Sequence, residues 1–392
     1  MKGFEFERQF QFYGNPKILF GRGVVSEVGQ QFLEMGASKV LIVSDPYLTD
    51  NGSLDKVVRY MHDKGITATV FDRVEQDPPV ESVIQAAELW STAPHDAILA
   101  MGGGSSIDTA KAAGAIIAGG DIKALLQGAP PPQIPPLIAI PTTSGTGSEV
   151  SRSAVLSDLE SQNKVMVRGE RLVPRVALVD PELAATMPPA VTANTGIDAF
   201  THLLSSFINT NYNFLVQELD LVGMGLIRSY LPRAIRDGSD MEARTGVAMA
   251  SVLGGIGIQT MGVDLVHTIT GPFGAHFHFP HGTIAASILQ YGLAFTRPSA
   301  TESFSRVARV LDDSLRDVED ETAADKMIEL VVQLLRDCNL PVDLTGLNID
   351  PGQFPSIASK TMRRVAVKNN PRMAEEADVL EILEAAYRSD RS

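Results

Sequence analysis

One aspartate and three histidines are spaced along this chain in a way that suits a shared divalent cation. Five of the seven histidines fall between residues 202 and 281. In GIDAFTHLLSSFIN (196–209), Ile197, Phe200, Leu204, Phe207 and Ile208 recur at helical spacing as one apolar stripe. That stripe leaves Asp198 and His202 together on the opposite face, one turn apart and able to reach a common ion. A second stretch, VHTITGPFGAHFHFPHG (266–282), supplies His267 and, fourteen residues later, His281 after Pro280. Taken alone, an Asp and a His on a polar helix face equally suit contact with water. With two further imidazoles the set suits iron(II), zinc, manganese or cobalt, and it names no single metal. Structural zinc sites recruit cysteine more often, and the only cysteine, Cys338, stands far along the chain. A site of this composition points to catalysis, with room for an exchangeable oxygen ligand.

Two glycine- and hydroxyl-rich stretches offer nucleotide-binding chemistry. In GGGSSIDTAKAAG, Gly102, Gly103 and Gly104 follow the apolar run DAILAM and precede a helix beginning near Ser105. Glycines permit close backbone approach, and amides at a helix N-terminus attract phosphate, although such a turn also serves as plain structure. Asp45, after KVLIVS, suits the hydroxyls of a ribose and would repel the extra phosphate of NADP; it equally suits a helix cap. Its position departs from the usual dinucleotide fingerprint, in which the acid follows the glycines by about 20 residues, whereas Asp45 precedes them. A further loop, PTTSGTGSEVS (141–151), offers hydroxyls from Thr142, Thr143, Thr146, Ser148 and Ser151 to a ribose or phosphate, or to turn formation.

The elements that must carry these groups alternate in the first half. Short apolar runs at 39–43, 67–71, 96–101, 137–140 and 176–179 alternate with helical patterns, which predicts a parallel α/β sheet. Beyond about residue 185 the strand signals fade, and segments such as LVQELDLVGMGLIRSYLPRAI and ETAADKMIELVVQLLRDC carry helical periodicity. The proline-rich PELAATMPPAV marks the boundary, giving an α/β domain over 1–185 and an all-α domain over 186–392. A chain of 392 residues, 44% hydrophobic and 20% charged, has the length for two such cores. Its formal net charge of −14 disfavours nucleic acid and anionic lipid as partners. There is no cationic, apolar leader at Met1 and no apolar stretch of about 18 residues, so a cytoplasmic protein with no membrane partner is expected. A single cysteine excludes an internal disulfide.

Taken together, the motifs resemble the iron-containing, or group III, alcohol dehydrogenases. The resemblance spans nearly the whole chain: FGRG near Gly21, GGGSSIDTAK, PTTSGTGSE, Lys164 in KVMV, VDPEL (179–183), GIDAFTH, the VH of His267, PHG (280–282) and NPR (370–372). It implies an N-terminal dinucleotide-binding α/β domain and a helical metal-binding domain of the dehydroquinate synthase-like fold, with the active site in the cleft between them. It also implies Fe2+, or Zn2+ or another divalent metal, on Asp198, His202, His267 and His281. NAD, in preference to NADP, would lie among Asp45, Gly102, Gly103, Gly104, Ser105, Asp108, Thr142, Thr143, Ser151 and Lys164. The implied activity is hydride transfer between a nicotinamide and a small alcohol or its aldehyde or ketone, in a homodimer or higher homo-oligomer. A non-redox cyclase of the dehydroquinate synthase type and a non-catalytic binder of metal and nucleotide are the alternatives.

The chain departs from the family pattern near the third ligand. Members often carry another histidine four residues after it, where this chain has Gly271, so a proton-handling role there does not carry over. The same stretch instead adds His276 and His278, which suit proton relay or an anionic substrate group as well as packing or plain surface.

Overall fold

The computed structural model describes residues 8–12, 14, 16–158, 163–277 and 279–388. Two compact units result, 14–186 and 187–392, and residues 8–12 belong with the second. That attachment is made by backbone carbonyls: Asn213 donates to the Gln11 carbonyl at 3.1 Å, and Arg8 to that of Thr210 at 3.3 Å.

The first unit is built on a parallel six-stranded sheet with the order β1-β8-β5-β4-β2-β3. Its strands are β1 (Lys17–Phe20), β2 (Lys39–Val43), β3 (Thr67–Phe71), β4 (Ala97–Gly102), β5 (Leu137–Pro141) and β8 (Val176–Val179). β4, β5 and β8 are buried along their whole length, which is why they read as continuous apolar runs in place of alternating ones. Successive residues feed opposite cores. Leu41, Val43, Ile98 and Ala100 pack on one face of the sheet, and Val40, Ile42, Leu99 and Met101 on the other.

Strand order fixes where a ligand can sit. From β2 the chain moves outward to β3, whereas from β4 it moves the opposite way to β5 and then β8, so the connections diverge between β2 and β4. The crevice beyond the carboxyl ends of such a pair is where open α/β sheets bind ligands. Two features lie outside the predicted strand set. β1 is a short edge strand, KILF, and an antiparallel hairpin, β6 (Ser153–Asp158) with β7 (Asn163–Arg168), forms a separate two-stranded sheet.

The second unit is helical among its described residues. Its centre is the helix Pro189–Phe207, whose residues from Gly196 to Phe207 are all buried. The helices Phe214–Arg236, Met241–Met261, Leu265–Phe277 and His281–Thr296 join it in one core with Phe200, Leu203, Leu231, Val266 and Ile284. No single described helix is long and apolar enough to cross a membrane.

Candidate metal and nucleotide sites

The nucleotide motifs gather at the divergence between β2 and β4. Gly102 ends β4 at φ +147°, and a Cβ there would lie 2.9 Å from the Asp45 carboxylate and closer still to Ser106, so only glycine lets these segments meet. Gly103 caps the helix Gly104–Ile117 without a side-chain bond, leaving backbone amides of its first turn, at Gly104 and Ser105, for a ligand. The backbone amide of Thr142 donates to the Gly102 carbonyl at 2.9 Å, and the Thr143 side chain lies 3.4 Å from where a Gly103 Cβ would be. Asp45 stands after β2, which is adjacent to β4 in space. This explains how an acid can precede the glycines in the chain and still reach them. Its carboxylate also caps the helix Pro46–Asp50 by accepting from the Leu48 amide at 3.3 Å, and desolvation raises its pKa.

Three predicted cofactor residues hold contacts within the protein. Asp108 points beneath the loop, where its carboxylate accepts from the Ser148 hydroxyl and, at 2.9 Å, from the Val155 amide. Ser151 is nearly buried and accepts from Lys111 Nζ at 3.0 Å. Lys164 pairs with Asp77 at 2.6 Å. Sequence reasoning missed Lys111, which is fully buried and donates at 3.0 Å to each of Ser148 Oγ, Ser151 Oγ and the Ser153 carbonyl. One ammonium thus ties the PTTSGTGSEVS loop to the glycine-rich helix. Burial pulls its pKa down to about 8, and burial pushes the neighbouring Glu149 up to about 7. Lys111 lies three residues after Asp108 on one helix face; that spacing was the available signal, and its burial was not readable.

In the helical unit, Asp198, His267 and His281 converge. Their ligand atoms all lie within 4.8 Å of one another. Nε2 of His281 is 3.1 Å from Nε2 of His267, and Asp198 Oδ1 is 3.7 Å from Nε2 of both His281 and His202. His202 joins from the same helix as Asp198, its ring centroid 4.8 Å from that of His267. Asp198 and His202 are buried, and Asp198 Oδ1 accepts no hydrogen bond from any described residue. A buried carboxylate oxygen without a donor, facing ring nitrogens with lone pairs to share, is costly unless a cation meets it. The donor set therefore fits a divalent metal. Burial holds the His267 pKa well below that of a free imidazole, with His281, His202 and Arg364 adding to the effect, so the ring is neutral, as a metal ligand must be.

Two local devices hold this geometry. Asp264 immediately precedes the helix Leu265–Phe277 and accepts from the His267 amide at 2.9 Å and from Ser205 Oγ at 2.7 Å. It thereby joins the His267 segment to the helix of Asp198. An aspartate ahead of the apolar run LVHTIT is a readable capping signal. Gly282 supplies the second device, because a Cβ there would sit 2.1 Å from the Asn194 carbonyl oxygen. Only glycine lets the His281 helix approach the Asp198 helix this closely. His276 is exposed in the last turn of its helix, against Phe277, and is not part of the cluster. His278 lies outside the described residues.

Two family profiles cover most of the chain. One described as "Iron-containing alcohol dehydrogenase" matches residues 15–181, and one described as "Fe-containing alcohol dehydrogenase family, C-terminal" matches residues 192–387. The NAD-dependent methanol dehydrogenase of Bacillus methanolicus is 31% identical over 377 residues, 96% of this chain and 99% of that protein. The chain belongs to the iron-containing alcohol dehydrogenase family. Solved structures agree with the family fold: 1,3-propanediol oxidoreductase and the alcohol dehydrogenase from Oenococcus oeni each superpose with TM-score 0.93 at 29% identity, covering 97% of this chain and 100% of theirs. As a member of the iron-containing alcohol dehydrogenases, the protein is an oxidoreductase interconverting alcohols with aldehydes or ketones.

Proposed function

We propose that Asp198, His202, His267 and His281 hold Fe2+, and that Asp45, the Gly102–Ser105 turn and the Thr142–Thr143 loop receive NAD for hydride transfer to and from a small alcohol. The convergence of two imidazole nitrogens and a donorless carboxylate oxygen on one point carries this reading. A divalent metal held there would act as a Lewis acid on the substrate oxygen, favouring alkoxide in one direction and polarising carbonyl in the other. The chain's own part is positional. Asp264 and Gly282 position the segments that carry His267 and His281, burial keeps His267 neutral, and Lys111 and Asp108 shape the nucleotide loop from beneath. Asp45 disfavours NADP through charge repulsion with the additional phosphate. In this reading the protein works as a homo-oligomer in the cytoplasm, and His276 and His278 stand as side chains available for proton transfer. Absorbance at 340 nm tests the function, using anaerobically iron-loaded protein, NADH and short aldehydes. Metal-dependent NADH consumption is expected; no consumption despite bound metal and NADH would overturn the reading.

A further inference from the structure

Beside the metal cluster stands a cation without a counter-ion. Arg364 precedes the short helical turn Val365–Asn369, and its guanidinium packs against Gly271: a Cβ built on that glycine would meet Nη1 at 2.9 Å, Cζ at 3.0 Å and Nη2 at 3.2 Å. Gly271 follows His267 by one helical turn, about 6 Å along the axis. Among the described residues, the Arg364 guanidinium makes no hydrogen bond, ion pair or stacking contact, yet the residue is only partly exposed. Several other arginines on this unit are paired, among them Arg233 with Asp240 and Glu242, Arg297 with Glu321 and Asp325, and Arg309 with Asp320. The nearby Asp264 carboxylate is taken up by Ser205 and the His267 amide. A dication held by one carboxylate, with an unpaired guanidinium close by, leaves this locality with excess positive charge. The arrangement also presents a planar fork of donors that matches a carboxylate or sulfonate. The absence of a side chain at Gly271 is what lets the guanidinium lie against this helix, one turn beyond His267.

We infer that the substrate carries an anionic group, and that Arg364 binds it while the substrate's hydroxyl or carbonyl oxygen faces the Asp198, His202, His267 and His281 cluster. This rests on the dehydrogenase reading above and narrows it to short hydroxy acids and their aldehyde acids. Gly271 is part of the same device, since any side chain there would push the guanidinium aside.

The test compares 4-hydroxybutyrate with 1-butanol, a pair differing in the terminal anion. Binding is measured by calorimetry on the iron-loaded full chain without nicotinamide, and turnover as NAD reduction. The expected result is at least tenfold tighter binding and a higher kcat/KM for 4-hydroxybutyrate. Arg364→Met is expected to cut the acid-to-alcohol ratio at least tenfold in both readouts, with Arg364→Lys retaining part of it. Gly271→Ala, which keeps the arginine but displaces its guanidinium, is expected to lower the ratio severalfold. Equal handling of the two compounds by the wild-type chain would overturn the inference, and so would a preference that survives Arg364→Met. If 4-hydroxybutyrate binds preferentially through Arg364 but neither compound is oxidised, the anion site stands and the dehydrogenase reading falls.

Discussion

Replacing Gly282 with alanine tests how the metal cluster is held together. The added Cβ would lie 2.1 Å from the Asn194 carbonyl oxygen, 2.9 Å from its carbon and 3.0 Å from Ile197 Cγ2. Two of those atoms are main chain in the middle of the Asp198 helix, so no side-chain rotation relieves the contact. Ordinary contact begins at 3.4 Å, so the two helices must separate by about 1.3 Å. The separation falls where it matters, because His281 adjoins Gly282 and Asp198 adjoins Ile197. Metal–ligand distances tolerate only about ±0.2 Å, so His281 would leave the set held by the other three residues. The expected effects are a stability loss of about 1–3 kcal/mol from overpacking and a fall in metal affinity of at least roughly 10–100-fold. Affinity is read by chelator competition and stability by denaturant melts. Gly246→Ala serves as the control: its Cβ would strike the Tyr230 ring at 2.2 Å, a packing fault between two helices that carry no ligand. It is expected to cost stability and leave metal affinity near wild type. If Gly282→Ala melts early yet binds metal as tightly as wild type, the close helix approach does not position His281 and the reasoning fails.

Three further outcomes are expected. Asp45→Gly should relax discrimination against NADP, seen as a rise in the NADPH-to-NADH ratio of kcat/KM; an unchanged ratio would remove Asp45 from ribose recognition. Asp264→Asn keeps the size of the side chain but weakens its hold on the His267 amide and Ser205, so metal affinity should drop about 10-fold or more, and wild-type affinity would refute the positioning role. Glu149 has its pKa raised from 4.5 to about 7 by burial, so its stabilising contribution is full below pH 4.5 and is lost as pH rises through 7. The Glu149→Gln chain, compared with wild type in urea melts at pH 5 and pH 8, should therefore gain relative stability at the higher pH, on the order of 3 kcal/mol. An equal difference at both pH values would show that Glu149 ionises normally.

Much of this arrangement was legible in the sequence because it rests on short-range pattern. Fully apolar runs marked the buried strands, and the i,i+4 pair Asp198 and His202 was visible on one helix face. What stayed hidden depends on contacts between distant segments. Asp45 looked misplaced because strand order is not written in the chain; once β2 lies against β4, its distance from the glycines vanishes. Asp108 and Ser151 read as cofactor contacts because their polarity is visible, whereas their engagement by Ser148 and Lys111 is a matter of burial. The edge strand KILF is four residues long, too short to show a period, and the β6–β7 hairpin was absorbed into a stretch read for its loop. Arg364 carried no motif at all, and its meaning comes from the missing partner beside Gly271.

The most direct measurement is an anaerobic titration of metal-free protein with Fe2+, following bound iron and NADH consumption with butanal together, in the wild type and in Asp198→Ala. The account predicts that activity rises with bound iron and saturates at a single ion per chain, and that Asp198→Ala loses both the ion and the activity. Full activity in the metal-free protein, or undiminished iron binding in Asp198→Ala, would contradict it.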